Sequence, residues 1–265
     1  MTVVEIIGFV GALIIGLVLG LIGGGGSILT VPLLVYLLGF NPIVATAYSL
    51  FVVGSSSLVG VIQKAKKNLV DFKTGLSFSF PSFLAVYISR RFLVPGIPED
   101  IFTLNGYTLT KEMAIMVFFA IIMFLAATSM IKTKKEVVET HTKQPYYKTF
   151  IQGTTIGVIT GLIGAGGGFL YVPALVLWAG LPMKRAVGTS LVIVSLNSII
   201  GFTGDLHTLD IDWTFLLSFS FITVLGILIG GYLSKYVSNK KLKKSFGWFV
   251  LIMAVYIIIK EFSQH

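Results

Sequence analysis

Sliding the sequence along itself by 141 residues lays Gly20–Phe80 over Gly161–Phe221 without a gap. The first copy opens GLIGGGGSILTVPLLV and the second GLIGAGGGFLYVPALV, and both close on SFSF, at Ser77–Phe80 and Ser218–Phe221. Chance agreement among apolar residues would not keep Gly23, Gly25, Gly26, Pro32, Gly39 and Gly60 in step with Gly164, Gly166, Gly167, Pro173, Gly180 and Gly201. The chain is a duplication, so its fold must be built twice from one unit.

Composition sets the solvent for that unit. Hydrophobic residues make up 55% of the chain and charged residues 12%, against about 25% charged in soluble domains. Apolar stretches of nearly bilayer length recur at Ile6–Ile22, Ile43–Ile62, Thr74–Phe92, Met113–Ile131, Ala186–Thr203, Trp213–Leu233 and Phe246–Ile259. The N-terminus has no basic segment, carries Glu5 and runs into glycines, so Ile6–Ile22 is expected to be mature structure instead of a secretory signal. Cysteine is absent, which removes disulfide and thiol chemistry.

Each copy divides into five apolar segments, a to e, and an odd number of crossings turns the second copy upside down relative to the first. Charge agrees with that parity. With the N-terminus outside, the connections around Lys64–Lys73, Lys132–Lys148, Lys184–Arg185 and Lys235–Lys244 face the cytoplasm, leaving Arg90, Arg91, Lys111 and Lys260 outside. The basic loop Gln63–Asn68 corresponds to the acidic loop Gly204–Leu209 in the second copy, as inversion requires. The expected fold is an all-α membrane protein, a polytopic helical bundle of two inverted five-segment repeats with about 8–10 transmembrane segments, some short or re-entrant. Residues 1–131 form the first repeat, 132–149 a cytoplasmic linker and 150–265 the second repeat; both termini are expected outside.

Segment b of the first copy, Ile28–Gly39, is too short for a comfortable crossing and follows four glycines. Non-helical backbone at membrane depth must be buried in protein or line a watery cavity, because lipid cannot satisfy its amides. A helix that starts at such a turn points free N–H groups and about half a positive charge at it, which favours anions. Two elements of this kind in opposed repeats build a substrate site near the bilayer midplane. Scattered glycines such as Gly8, Gly16 and Gly230 are better read as permitting close helix packing.

Segment c supplies Thr46, Tyr48, Ser49, Ser55, Ser56 and Ser57 in the first copy, and Thr189, Ser190, Ser195, Asn197 and Ser198 in the second. Hydroxyls and an amide can hold an oxyanion without burying a full positive charge. Carboxylates are missing from the span centres, so proton relays have no obvious carrier. Asp71 and Asp212 are repeat mates expected to cap helices. His207 lies in the acidic loop, and the basic runs KTKK and KKLKK read as orientation signals beside spans instead of nucleic-acid sites. No P-loop, metal-ligand or nucleophile pattern is present: no catalytic residue, metal or cofactor is expected.

The duplicated GLIGGGGSILTVP and GLIGAGGGFLYVP, together with RAVGTSL at Arg185–Leu191, resemble the TauE/SafE sulfite exporter family over nearly the whole chain. The resemblance implies a multi-pass plasma-membrane permease for sulfite, organosulfonates or related oxyanions, working by secondary transport. It implies a path formed by the glycine elements and the start of segment c, and thus a substrate site at Gly23, Gly24, Gly25, Gly26, Ser27, Thr46, Tyr48, Ser49, Gly164, Gly166, Gly167, Gly168, Thr189, Ser190 and Asn197. The first copy reads VATAYSLF where the second reads RAVGTSLV, so Thr46, Tyr48 and Ser49 are expected to set substrate choice. The partners implied are a small anion and the lipid bilayer, without nucleic acid; self-association into a homo-oligomer stays open. Two other classes compete, an intramembrane enzyme acting on lipid phosphates and a non-transporting sensor or scaffold. The first wants a buried acid or base beside a nucleophile.

Overall fold

The computed structural model describes residues 3–23, 27–104, 107–132, 146–164, 166–206 and 208–263. The first copy gives α1 (Val3–Ile22), α2 (Ser27–Pro32), α3 (Pro42–Ala65), α4 (Phe72–Ile88) and, after a short turn α5 (Val94–Gly96), α6 (Lys111–Lys132). The second gives α7 (Tyr146–Ile163), α8 (Gly168–Leu177), α9 (Met183–Asp205), α10 (Trp213–Leu233) and α11 (Asn239–Ser263). The protein is a helical membrane protein. Among the described residues, Pro42–Ala65, Lys111–Thr128, Met183–Asp205 and Trp213–Leu233 are long and apolar enough to cross a bilayer, and Ile6–Ile22 and Ile28–Leu37 are shorter apolar helices.

The chain is not wholly helical. Asp100–Leu104 (β1) and Tyr107–Thr110 (β2) pair antiparallel between α5 and α6, in a stretch of Thr, Tyr and Phe that the hydropathy pattern passes over. Two π-helical stretches also replace α-helix, Leu33–Leu37 after α2 and Ser89–Leu93 after α4. The first begins directly behind Pro32, which has no N–H to give to the ladder. The second carries Arg90 and Arg91.

Local chemistry fixes the helix starts twice over. Asp71 caps α4, accepting the Thr74 N–H at 3.0 Å, and its repeat mate Asp212 caps α10, accepting the Phe215 N–H at 3.0 Å. Asn41 caps α3 through Ile43 N–H at 2.8 Å, with Pro42 as the first helical residue.

Glycines set how the helices meet. A Cβ on Gly16 would strike Thr223 O and Gly226 Cα, and one on Gly20 would strike Ile227 O and Gly231 N, so α1 and α10 run parallel with their backbones in contact. In the same way Gly153 meets Phe78 and Pro81, Gly157 meets Ser82 and Ala85, and Gly161 meets Val86 and Ser89, so α7 and α4 run parallel. These two contacts exchange under the 141-residue shift. The central pair runs the other way: Gly201 of α9 lies against Leu50, Gly54 of α3 against Ser198 and Ile199, and Gly60 against Leu191. Parallel bonds join α3 to α10 through Tyr48–Asp212 and Lys64–Ser234, and α4 to α9 through Asp71–Thr189, Ser82–Asn197 and Arg90–Asp205. Hence α1, α3 and α10 point one way and α4, α7 and α9 the other.

Outward faces remain apolar, for example Ile6, Val10 and Ile14 on α1 and Leu217, Phe221 and Leu228 on α10. Lipid is the solvent that such faces require. The short helices α2 and α8 share a cluster in which the repeat mates Ile28 and Phe169 are both buried among α6 and α11 side chains.

Candidate functional site

The glycine turn of the second copy enters the molecule between α3 and α9. Gly164, Gly166 and Gly167 have φ of +69°, +64° and +68°, and at Gly166 a side chain would also lack space: its Cβ would lie 2.6 Å from Ser198 Oγ and 2.8 Å from Val53 Cγ1. Val53 and Val194, both against Gly166, are repeat mates on the two central helices. The turn ends at Gly167, from which α8 starts with no side-chain cap. The helix therefore presents its N-terminal amides and positive dipole end to that region. In the first copy, Gly23 has φ +80° and packs against Val187 and Ser190, while Gly24, Gly25 and Gly26 lie outside the described residues, as does the Ser27 side chain.

Ser198 Oγ lies against this turn, and the two central helices carry further buried hydroxyls without a hydrogen-bond partner. Ser57 and Ser198, repeat mates on α3 and α9, are both fully buried with Oγ atoms that lack a hydrogen-bond partner, and Ser49 and Ser56 share that condition. Leaving such a group unpaired costs about 1–3 kcal/mol, so each of these hydroxyls is a donor free to take a ligand. Hydroxyls donate to oxyanion oxygens, and neutral donors avoid the larger cost of a buried cation.

The other residues expected at the site have partners in the fold. Tyr48 Oη accepts the Asp212 N–H at 2.7 Å, and its mate Thr189 Oγ1 accepts the Asp71 N–H at 2.9 Å, so this pair locks each central helix to the cap of the opposite half. Ser190 donates to Val187 O at 2.9 Å. Gly168 opens α8. Asn197 donates to Ser82 Oγ at 2.8 Å and Tyr171 Oη at 2.6 Å, and Tyr171 is in turn bonded to Ser82; Asn197 Oδ1 stays unpaired.

Three charged residues differ from their expected surface positions. Arg90 is fully buried: it sits in the π-helical stretch that continues α4, with its guanidinium held inside the bundle by Asp205 and Thr46. Its Nε donates to Asp205 at 3.0 and 2.8 Å, Nη2 lies 2.6 Å from Oδ2, and Nη1 donates to Thr46 Oγ1 at 3.0 Å. Asp205 is itself buried as the last residue of α9, a carboxylate that the reading of an acidic loop had placed in water. Lys64, its repeat mate, is also buried on α3 and donates to Ser234 Oγ at 3.0 Å. The 141-residue alignment pairs Lys64 with Asp205, so the signal was present as opposite charges at equivalent positions near the ends of segment c. Among the described residues no group of three or more His, Cys, Asp or Glu side chains could hold a metal ion.

Comparison with known proteins points to membrane transporters. Residues 8–257 match the family described as "Sulfite exporter TauE/SafE". A "Probable membrane transporter protein" of Xylella fastidiosa (strain 9a5c) is 27% identical over 260 residues, covering 95% of this chain and 94% of the relative. "Probable membrane transporter protein YunE" of Bacillus subtilis (strain 168) is 29% identical over 284 residues, covering 95% of each. "Probable membrane transporter protein MJ0441" of Methanocaldococcus jannaschii is 28% identical over 200 residues, 71% of this chain and 69% of the relative. No solved structure gives a significant match.

Proposed function

The chain belongs to the sulfite exporter TauE/SafE family and is a multi-pass membrane transporter, not an enzyme, and on that footing we propose that it is a plasma-membrane permease for small oxyanions, with sulfite and organosulfonates as the first candidates. The observation that carries this reading is Ser198, a buried hydroxyl without a partner lying against the glycine turn that opens α8, together with its repeat mate Ser57, equally buried and unpartnered on the antiparallel helix α3. That set is rich in donors and free of full charge, which suits an anion that must bind and then leave.

The mechanism is secondary transport by two halves lying head to tail. Opposite chain directions of the repeat mates α1 and α7, α3 and α9, and α4 and α10 support that arrangement. Alternating access would rock the halves around the fixed central site. The charge pattern of the connections supports a reading with the N- and C-termini outside.

The test is flux of radiolabelled sulfite into proteoliposomes holding the purified chain. Saturable, protein-dependent uptake that Gly166→Leu abolishes supports the proposal; uptake no faster than in empty liposomes for sulfite, taurine and sulfoacetate alike refutes the substrate class.

A further inference from the structure

The central helices carry one stripe twice, in opposite directions. On α3 it runs Ser57, Gly60, Lys64, and on α9 Ser198, Gly201, Asp205, every member buried. The spacing i, i+3, i+7 keeps each stripe on one helix face, and two turns separate its ends by about 10 Å. Each stripe therefore leads from an unpaired hydroxyl at the centre to a buried charge near one end of the bundle.

The two charges are not treated alike. Asp205 has Arg90 as counter-ion. Lys64 has no carboxylate partner among the described residues, and the position equivalent to Arg90 is Gly231, which offers only its carbonyl. Lys64 Nζ donates to Ser234 Oγ at 3.0 Å, whose own hydroxyl is spent on Gly231 O at 2.8 Å. The cations Lys67 and Lys184 both act on Lys64. Lys67 Nζ reaches Gly231 O at 3.3 Å, and Lys184 lies in the first turn of α9, whose start no side chain caps. The nearby carboxylate Asp71 is engaged with Arg185 at 3.7 Å and with the start of α4. A buried ammonium with like charges acting on it and no carboxylate partner is costly unless an anion joins it.

We propose that Lys64, flanked by Lys67 and Lys184, is an anion-binding station at its end of the transport path, taking an oxyanion as the counter-ion that the fold omits. This rests on the reading of the chain as an oxyanion permease. The station makes the two ends of the path unequal. An anion is attracted at the Lys64 end, whereas at the Arg90 end the cation is already neutralised by Asp205. The ligand is the free substrate anion, and a lipid phosphate is the other source of the same chemistry.

The experiment uses the full chain purified in neutral detergent, titrated with sodium sulfite against sodium chloride at constant ionic strength and read by thermal unfolding. Wild type is expected to gain stability with sulfite, Lys64→Arg to keep that gain, and Lys64→Gln to need at least tenfold more sulfite for it. Lys184→Gln, at an exposed position, is expected to weaken binding about threefold, so the proposal remains testable if Lys64→Gln does not fold. Equal sulfite midpoints for wild type, Lys64→Gln and Lys184→Gln would overturn it. Stabilisation that appears only in nanodiscs containing phosphatidylglycerol, and not with free sulfite, would also overturn the substrate station and assign the lysines to lipid. Flux separates the two levels: sulfite binding that depends on Lys64 without any uptake would leave the station standing and reject the permease, whereas uptake with unchanged KM in Lys64→Gln would do the reverse.

Discussion

Lys64 and Asp205 occupy the same position in the two copies of the repeat, and the fold buries both, the carboxylate against Arg90 and the ammonium against a serine hydroxyl. Duplication explains why a charge is held at each end of the central helix pair, and divergence explains why the charges differ in sign. Arg90, Asp205 and Thr46 together tie α4, α9 and α3 at one end of the bundle.

A paired buried ion is stable only while both partners are present. Asp205→Ala is expected to cost about 3–5 kcal/mol, because it strands the Arg90 guanidinium in the interior, whereas the double replacement Arg90→Met with Asp205→Leu should recover most of that loss. A double-mutant cycle read by thermal unfolding in detergent checks this, and additive losses would argue against a coupled pair.

The helix crossings give a second expectation. At Gly230 a Cβ would strike the Leu17 carbonyl oxygen, so Gly230→Ala should destabilise by about 1–3 kcal/mol. Gly96 has nothing within 4 Å and no positive φ, and Gly96→Ala should leave the unfolding midpoint unchanged.

Hydroxyls on the central helices divide into those without a hydrogen-bond partner and those that accept a helix-cap N–H. Ser57→Ala and Ser198→Ala each remove an unsatisfied buried group, so stability should hold or rise by up to about 1 kcal/mol while anion flux falls. Tyr48→Phe and Thr189→Val remove a bond to a helix cap, so they should cost about 0.5–1.5 kcal/mol and leave the KM for the anion near its original value. Stability and flux measured on the same four variants decide the assignment.

Topology is open to a simple chemical check, since the chain has no cysteine of its own. Single cysteines at Lys66 and Thr208, in equivalent loops of the two copies, should react with a membrane-impermeant maleimide from opposite faces. Labelling from one face would exclude the head-to-tail arrangement.

Much of this architecture was legible from periodicity. The long apolar runs became α1, α3, α4, α6, α9, α10 and α11 because lipid demands continuous helices of about that length. Asp71 and Asp212 were readable as caps, since a carboxylate ahead of an apolar run has few other uses there. The site was less legible. Tyr48 and Thr189 stood out by residue type, yet their partners lie 164 and 118 residues away, a fact of packing that no local pattern carries. Lys64 and Asp205 fall in expected loops because a charge just past an apolar run usually faces water, yet α3 and α9 run two or three residues further and draw both inside; Arg90, within the run Thr74–Phe92, is expected at the outer face and is instead buried against Asp205. The β1–β2 hairpin was missed for a related reason, being too short and too polar to register beside spans of twenty residues.

The most direct test of the central site is crystallographic. Selenite is the heavier analogue of sulfite, and its selenium can be located by anomalous scattering in crystals of the full chain. The account predicts a selenium peak between α3 and α9 whose oxygens lie about 3 Å from Ser57 Oγ and Ser198 Oγ, beside Gly166. A fully occupied peak elsewhere, with the space at Ser57 and Ser198 empty, would contradict it.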